Sequence, residues 1–388
     1  MSWLSSSNLC EEGGITMREV VILGVGLHPF GRFPEKTIEE LGRQAIANAL
    51  EEAGVPFRDI EVAYVGHCYQ PMGTGERVVT EFGQTGIPVI NTEVACTSST
   101  QGLVRAAWEI ATGLYDVALA VGVEKMERGL LGGTTAPGSY EEVMGLLVMP
   151  ALYAMMARKH MKQYGTTMEQ LAMCSVKEHK NGALNPYAQY QKACTLEEVL
   201  NSRMIADPIT LLMCSPTSDG ASAAVICAKK KAKRYASKKP ITITGWALGT
   251  SKYTREAGEE FGGLEELANK VYEKAGVGPE DIDVCQVHDA FSPGEIFIPE
   301  SLGLIPKGEG GWWVEQGKTE INGQLPINTD GGLVSRGHPV GATGLAQVAE
   351  LVWQLRGEAG PRQVPNNPKV ALQHNVGLGG TVLALYKV

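Results

Sequence analysis

The chain lacks several features that would have settled its class at once. No apolar run approaches the roughly 20 residues that cross a bilayer, and residues 1–16 have neither the basic start nor the apolar centre of a secretory signal. A membrane protein and a classical secreted protein are therefore not expected, and the cytoplasm is the default location. Metal-ligand spacing is missing too. No two of the eight cysteines lie closer than Cys214 and Cys227, so there is no CxxC pair and no metal site is expected. Cys174, Cys194, Cys227 and Cys285 sit in apolar or helix-like surroundings and read as small core residues. Basic excess is absent as well: the net charge is −9, which opposes nucleic-acid binding but leaves room for a local basic patch around a phosphorylated ligand. No GxxxxGK[ST] loop occurs, and Gly24-Val-Gly lacks the third glycine of a dinucleotide fingerprint.

What the chain does have is bulk and internal repetition. At 388 residues, 44% of them hydrophobic, it can bury a large core and suits two fused domains better than one. Ile38-Glu-Glu-Leu, Glu52-Ala-Gly-Val and Asp59-Ile-Glu-Val recur as Leu264-Glu-Glu-Leu, Lys274-Ala-Gly-Val and Asp281-Ile-Asp-Val. Each copy opens with a β-branched run, Val20 to Val25 or Ile241 to Ile243. An amphipathic helix with an Ala-Gly cap follows, then a second strand near residue 62 or 284. Setting Gly102 against Gly344 places Cys96-Thr-Ser-Ser-Thr-Gln-Gly-Leu opposite His338-Pro-Val-Gly-Ala-Thr-Gly-Leu, so Cys96 and His338 occupy equivalent positions ahead of a helix. Further strands are expected at Val117 to Val121 and Val370 to Leu372, with a last pair at Ala221 to Ala228 and Thr381 to Val388.

This is a duplicated α/β plan. Residues 1–16 read as an extension, 17–123 with 210–238 as the first half, 124–209 as an inserted loop domain with a helix near Ala151 to Tyr164, and 239–388 as the second half. Two mixed five-strand units most economically pack face to face with helices between the sheets, which brings the two helix N-termini together. Cys96 and His338 would then meet, and a helix N-terminus with a nearby imidazole would favour the thiolate. Small neighbours, Thr97 to Thr100, leave backbone N–H groups free for an oxyanion. Two more segments combine imidazole with turn residues, Val287-His288-Asp289-Ala290-Phe291 and Gln373-His374-Asn375-Val376-Gly377. His28, His67, His160 and His179 lack such context and read as surface or satisfied core residues.

Cys96-Thr-Ser, His288-Asp-Ala-Phe, Gly337-His-Pro-Val-Gly-Ala-Thr-Gly and His374-Asn-Val-Gly, in this order, resemble the signature loops of the thiolase superfamily. The likeness spans Met17 to Val388 and lies nearest the sterol-carrier-protein-associated branch. It implies a five-layered α-β-α-β-α core and a two-step acyl transfer. In that scheme Cys96 attacks the keto carbon of a 3-ketoacyl-CoA with help from His338, and the acyl group passes to coenzyme A, a substrate rather than a resident cofactor. One oxyanion hole would use His338 and His288, and a second the backbone N–H groups of Cys96 and Gly377. The family's usual second cysteine is missing, since Ala290 and Asn375 stand at both positions where it occurs. Its proton transfer then falls to His338, His288, His374, a substrate group or a residue outside these loops.

The atypical loop and the Gly- and Met-rich stretch Gly129 to Met156 point to a branched, cyclic or aromatic acyl chain, in degradation of the β-oxidation type and with benzoylsuccinyl-CoA thiolase-like enzymes among the options. The resemblance further implies a homodimeric core and allows a small partner subunit with a zinc ribbon and an OB fold. Two rival readings stay open: a retro-aldolase on the same fold that makes no acyl-enzyme, and a non-catalytic acyl-CoA or lipid-binding subunit.

Overall fold

The computed structural model describes residues 17–129, 138–144, 148–235, 238–250, 252, 263–378 and 380–388. The N-terminal extension and part of the Gly129 to Met156 stretch lie outside the described residues. The first half contributes strands β1 (Val20–Gly31), β2 (Val62–Gly66), β3 (Val89–Thr92), β4 (Val117–Glu124) and β5 (Asp219–Ala228). The second contributes β6 (Ile241–Gly249), β7 (Val284–Gln286), β8 (Val370–Gly377) and β9 (Gly380–Lys387). The helices that matter for the site are α1 (Ile38–Ala53), α2 (Ser98–Thr112), α3 (Met149–Tyr164), α4 (Met168–Gly182), α5 (Leu264–Ala275), α6 (Gly294–Ser301) and α7 (Thr343–Arg356).

The strand order β3-β2-β4-β5-β1-β6-β9-β8-β7 shows the duplication directly. Read outward from the middle, β1-β5-β4-β2 on one side matches β6-β9-β8-β7 on the other. Among the described residues the halves join edge to edge through two antiparallel pairs, Val21↔Thr242 and Ile22↔Ile241. In both halves the middle strands pair antiparallel and the outer ones parallel. The five-strand expectation holds in the first half and is cut short in the second. There the position of β3 is taken by an isolated parallel bridge between Cys285 and Ile327. The chain leaves strand geometry at once because Asn328 turns to a φ of +53° and its side chain accepts the Val287 N–H at 2.9 Å.

Strands β4 and β5 are buried on both faces, as continuous apolar runs must be when helices cover a sheet on either side. One face of the first-half sheet packs on α1 through Leu41, Ala45, Ile46 and Ala49. One face of the second packs on α5 and α6 through Leu264, Val271 and Ile298. The remaining faces share a core with α2 and α7, where Leu103, Ala107 and Ile110 meet Leu345, Val348 and Val352. Five layers result, with the two equivalent helices at the centre. Both Ala-Gly caps form: Gly54 and Gly276 take left-handed φ values of 65° and 63° that an L side chain resists. No described helix is long and apolar enough to cross a membrane.

The segment from α3 through α4 packs against the second half rather than apart from it. Tyr153 and Ala172 share one cluster with Ala290, Phe291 and Leu333. This contact seats the His288 loop.

Candidate active site

Cys96 stands on a turn between β3 and α2 that side-chain hydrogen bonds draw tight. Ser98 Oγ accepts the Val94 N–H at 2.9 Å and donates to Ala95 O at 2.6 Å, while Thr97 Oγ1 donates to Val94 O at 2.8 Å. Ala95 is thereby forced to a φ of +50°, a strained value for a residue with a Cβ. His338 lies five residues ahead of α7, separated from it by one 3-10 turn, Val340–Ala342. Its backbone N–H donates to Ser218 Oγ at 2.9 Å. Although 242 positions apart in sequence, Cys96 Sγ and His338 Nε2 sit 3.3 Å apart.

Hydrogen bonds on the far side of each imidazole define which nitrogen carries the proton. Thr343 Oγ1 lies 2.6 Å from His338 Nδ1 and gives its only proton to Pro339 O at 3.0 Å, so it accepts from Nδ1–H. His338 Nε2 is left with its lone pair facing the thiol. The opposite holds at His288. Thr100 Oγ1 donates to Asn375 Oδ1 at 2.7 Å, which turns the amide so that Asn375 Nδ2 donates to His288 Nδ1 at 3.1 Å. His288 Nε2 therefore bears hydrogen. The two rings stand edge to face with centroids 5.3 Å apart, and ligating atoms of Cys96, His288 and His338 all fall within 4.8 Å of one another. One sulfur, one base and one N–H donor form a proton-handling set. A metal would need a lone pair where His288 presents a proton.

Burial governs the charges. It pushes the Cys96 thiol up to about 12, against a hydrogen bond from its own backbone and with added repulsion from Glu124. It holds His338 down to about 3, with Arg336 adding to the effect, and His288 well below its usual value. The expected thiolate is thus overruled at rest. A buried neutral imidazole supplies no positive charge, and desolvation outweighs the helix terminus. The pair is a neutral thiol beside a neutral base, poised for proton transfer on attack.

Gly377 approaches the Cys96 turn so closely that a Cβ there would lie 2.8 Å from Cys96 N and 2.9 Å from Val94 O. That contact brings the Cys96 and Gly377 backbones side by side. His374 is placed differently from the other two imidazoles. Burial lowers it to about 3, and its Nδ1 accepts the His288 backbone N–H at 3.4 Å, so it braces the His288 loop from behind.

Several contributors carry no legible motif. Asp289 accepts the Leu333 N–H at 3.0 Å, and burial, with the Asp289 charge nearby, raises the Glu178 carboxyl far above its usual range. Lys177 pairs with Glu295 in the same buried cluster. Together they tie the His288-Asp289 turn to α4. Glu124, at the end of β4, accepts from Cys68 N (2.9 Å), Tyr69 N (3.1 Å), Gln70 Nε2 (2.8 Å) and Gly341 N (3.0 Å). It thereby joins the loop after β2 to the loop of His338. An acid closing the apolar run Val117 to Val123 was the signal available for it.

Burial pushes Glu124 up to about 7 despite those four donors. Since its folded value lies above the ordinary 4.5, the stability linked to its proton is full below about pH 4.5 and is lost as pH rises through 7. Glu124→Gln is expected to flatten that slope, worth about 3 kcal/mol at most from the size of the shift. Urea unfolding of both proteins between pH 5 and 8 measures it, and an unchanged slope in the variant would assign the effect elsewhere.

Comparison with known proteins agrees with this architecture. Residues 20–230 match the family described as thiolase, N-terminal domain, and residues 250–384 that described as thiolase C-terminal domain-like. The chain is 41% identical to sterol carrier protein 2 of Oryctolagus cuniculus, over 95% of this chain and 72% of that protein. It is 40% identical to an acetyl-CoA acetyltransferase of Methanothermobacter thermautotrophicus, over 94% and 98%. To the benzoylsuccinyl-CoA thiolase subunit BbsB of Thauera aromatica it is 38% identical, over 93% and 95%. Among solved structures, the Ltp2-ChsH2(DUF35) aldolase superposes with a TM-score of 0.84 at 25% identity, covering 97% of this chain and 99% of that one.

Proposed function

The chain belongs to the thiolase family and is an acyl-CoA acyltransferase, and from that premise we propose that it cleaves 3-ketoacyl-CoA esters with branched, cyclic or aromatic acyl chains through an acyl-Cys96 intermediate. The observation that carries this reading is the 3.3 Å contact between Cys96 Sγ and the lone pair of His338. His338 takes the thiol proton as sulfur attacks the keto carbon, and His288 Nε2–H steadies the oxygen of the departing thioester enolate. The N–H groups of Cys96 and Gly377 serve the oxyanion at the attacked carbon. Each such donor is worth about 3 kcal/mol in the rate. Coenzyme A is a substrate in this scheme, and no resident cofactor or metal is required.

The breadth of the acyl group is supported by the aromatic pair Tyr153 and Phe291, whose rings meet at 4.9 Å beside the His288 loop. Ala290, where a bulkier sulfur would otherwise stand, fits the same reading. Benzoylsuccinyl-CoA names the substrate of one relative, which makes aromatic esters the first to try. Incubation with benzoyl-CoA, isobutyryl-CoA and acetyl-CoA, followed by intact mass, is expected to show an acyl adduct on Cys96 that free CoA removes. Adducts from small straight chains alone would refute the proposed breadth.

The aldolase neighbour favours a second reading, carbon–carbon cleavage without an acyl-enzyme. It predicts cleavage that survives in Cys96→Ala. The same neighbour's composition supports testing for a small DUF35-type partner, in addition to self-association through the core. Co-expression with such a subunit encoded nearby should yield a complex on size exclusion, and two non-interacting species would reject it.

A further inference from the structure

We infer that His338 carries both protons of the reaction, so that thiolysis here runs on one base with no second thiol. The inference rests on the acyltransfer reading above and asks what replaces the cysteine missing at Ala290 and Asn375.

Among the described residues, the other titratable groups around the pocket are each poorly placed to collect that proton. His288 Nδ1 is filled by the Asn375 amide, and its Nε2 is already protonated, so it can donate a hydrogen bond but has no lone pair with which to collect a proton. His374 Nδ1 accepts the His288 backbone N–H, so its proton sits on Nε2, which is unpartnered but has no lone pair with which to collect a proton. The thiol of Cys68 donates to Glu93 Oε1 at 3.3 Å, and burial together with Glu124 keeps it protonated. Tyr153 is buried, which raises its phenol and makes it a poor acid. Both oxygens of Glu124 are filled, Oε1 by Tyr69 and Gln70 and Oε2 by Cys68 and Gly341. Among these groups of the described residues, His338 Nε2 is the imidazole nitrogen with a free lone pair, and it lies 3.3 Å from the sulfur with the His288 ring edge to face beside it.

The proton count closes on that single nitrogen. The Cys96 proton moves to His338 Nε2 as sulfur bonds to the keto carbon. The bond between C2 and C3 then breaks, its electron pair passing into the thioester enolate, whose oxygen meets His288 Nε2–H. His338 returns the proton to C2, releasing the shortened ester and becoming neutral again. Coenzyme A next gives its thiol proton to the same nitrogen, its sulfur bonds to the acyl carbon, and the departing Cys96 sulfur recovers that proton. No oxidant, metal or second acid enters.

The test follows deuterium uptake at C2 of acetyl-CoA, propionyl-CoA and succinyl-CoA in D2O, beside intact-mass detection of acyl-Cys96. His338→Asn and His338→Gln should each lose both exchange and acylation by about 100-fold or more. Cys68→Ser should leave exchange at the wild-type level. In the wild type, the pH profiles of exchange and of Cys96 acylation should follow one shared ionisation, a readout independent of whether the His338 variants fold. Exchange that persists in folded His338 variants, collapses in Cys68→Ser, or follows a separate ionisation would overturn the one-base scheme while leaving acyl transfer intact. Absence of any acyl-Cys96 in the wild type would remove the acyltransfer reading itself.

Discussion

Cys96→Ala is expected to eliminate the acyl adduct and to lower CoA-dependent cleavage by about 10⁴-fold or more, as loss of a nucleophile within an interdependent set does. The fold should survive, since the hydrogen bonds that draw the turn tight come from Ser98 and Thr97 and not from the thiol. A melting temperature within a few degrees of wild type would separate lost chemistry from lost structure. Iodoacetamide adds a second measurement. With the thiol pushed up to about 12, alkylation of the free enzyme should be slow at neutral pH and climb steeply only in alkaline buffer. Rapid alkylation at pH 7 would mean that the sulfur is ionised at rest, contrary to the neutral pair described above. Cleavage persisting in Cys96→Ala would instead select the aldolase reading.

Gly344→Ala should do the reverse, harming structure and activity together. A Cβ on Gly344 would lie 1.8 Å from Thr100 Oγ1 and 2.9 Å from Asn375 Oδ1. Thr100 is packed at the centre of the molecule and cannot withdraw without giving up its bond to Asn375. We expect a stability loss of about 1–3 kcal/mol from overpacking, and a rate loss of about 100-fold because His288 no longer has its proton directed by Asn375. The double variant Gly344→Ala with Thr100→Ala separates the two effects. Removing the hydroxyl relieves the clash, so stability should largely return while activity should not. Full recovery of activity would show that the Thr100, Asn375 and His288 chain does not orient the imidazole. The repeat-related Gly102 is less constrained, since a Cβ there would meet Tyr64 Cβ at 3.0 Å.

Much of this was legible from the chain because duplication doubles every signal. The runs at Val20, Val117, Ala221, Ile241 and Val370 all became strands, each extended by the structure beyond the apolar residues that announce it. Cys96 and His338 pair on sequence alone, since equivalent positions in two packed copies approach a common axis. Other features had no periodic or motif signal. Thr343 and Thr100 decide the protonation of two imidazoles, yet a threonine that reads as an ordinary helix-start residue says nothing of which nitrogen it will face. The fifth strand of the second copy gave way to a single bridge because of one left-handed Asn328. Nor could thiol ionisation be judged without burial, which depends on residues from every layer. His374 shows the limit most clearly: it shares a loop signature with the site but contacts the back of His288.

The placement of sulfur and base on separate copies has a consequence for biosynthesis. A nascent chain carrying Cys96 but not yet His338 possesses a nucleophile with no acceptor for its proton, so it should ignore the acyl esters around it. Competence then arrives in one step, when the later copy folds onto the earlier, and an interrupted product of translation would be inert instead of partly active.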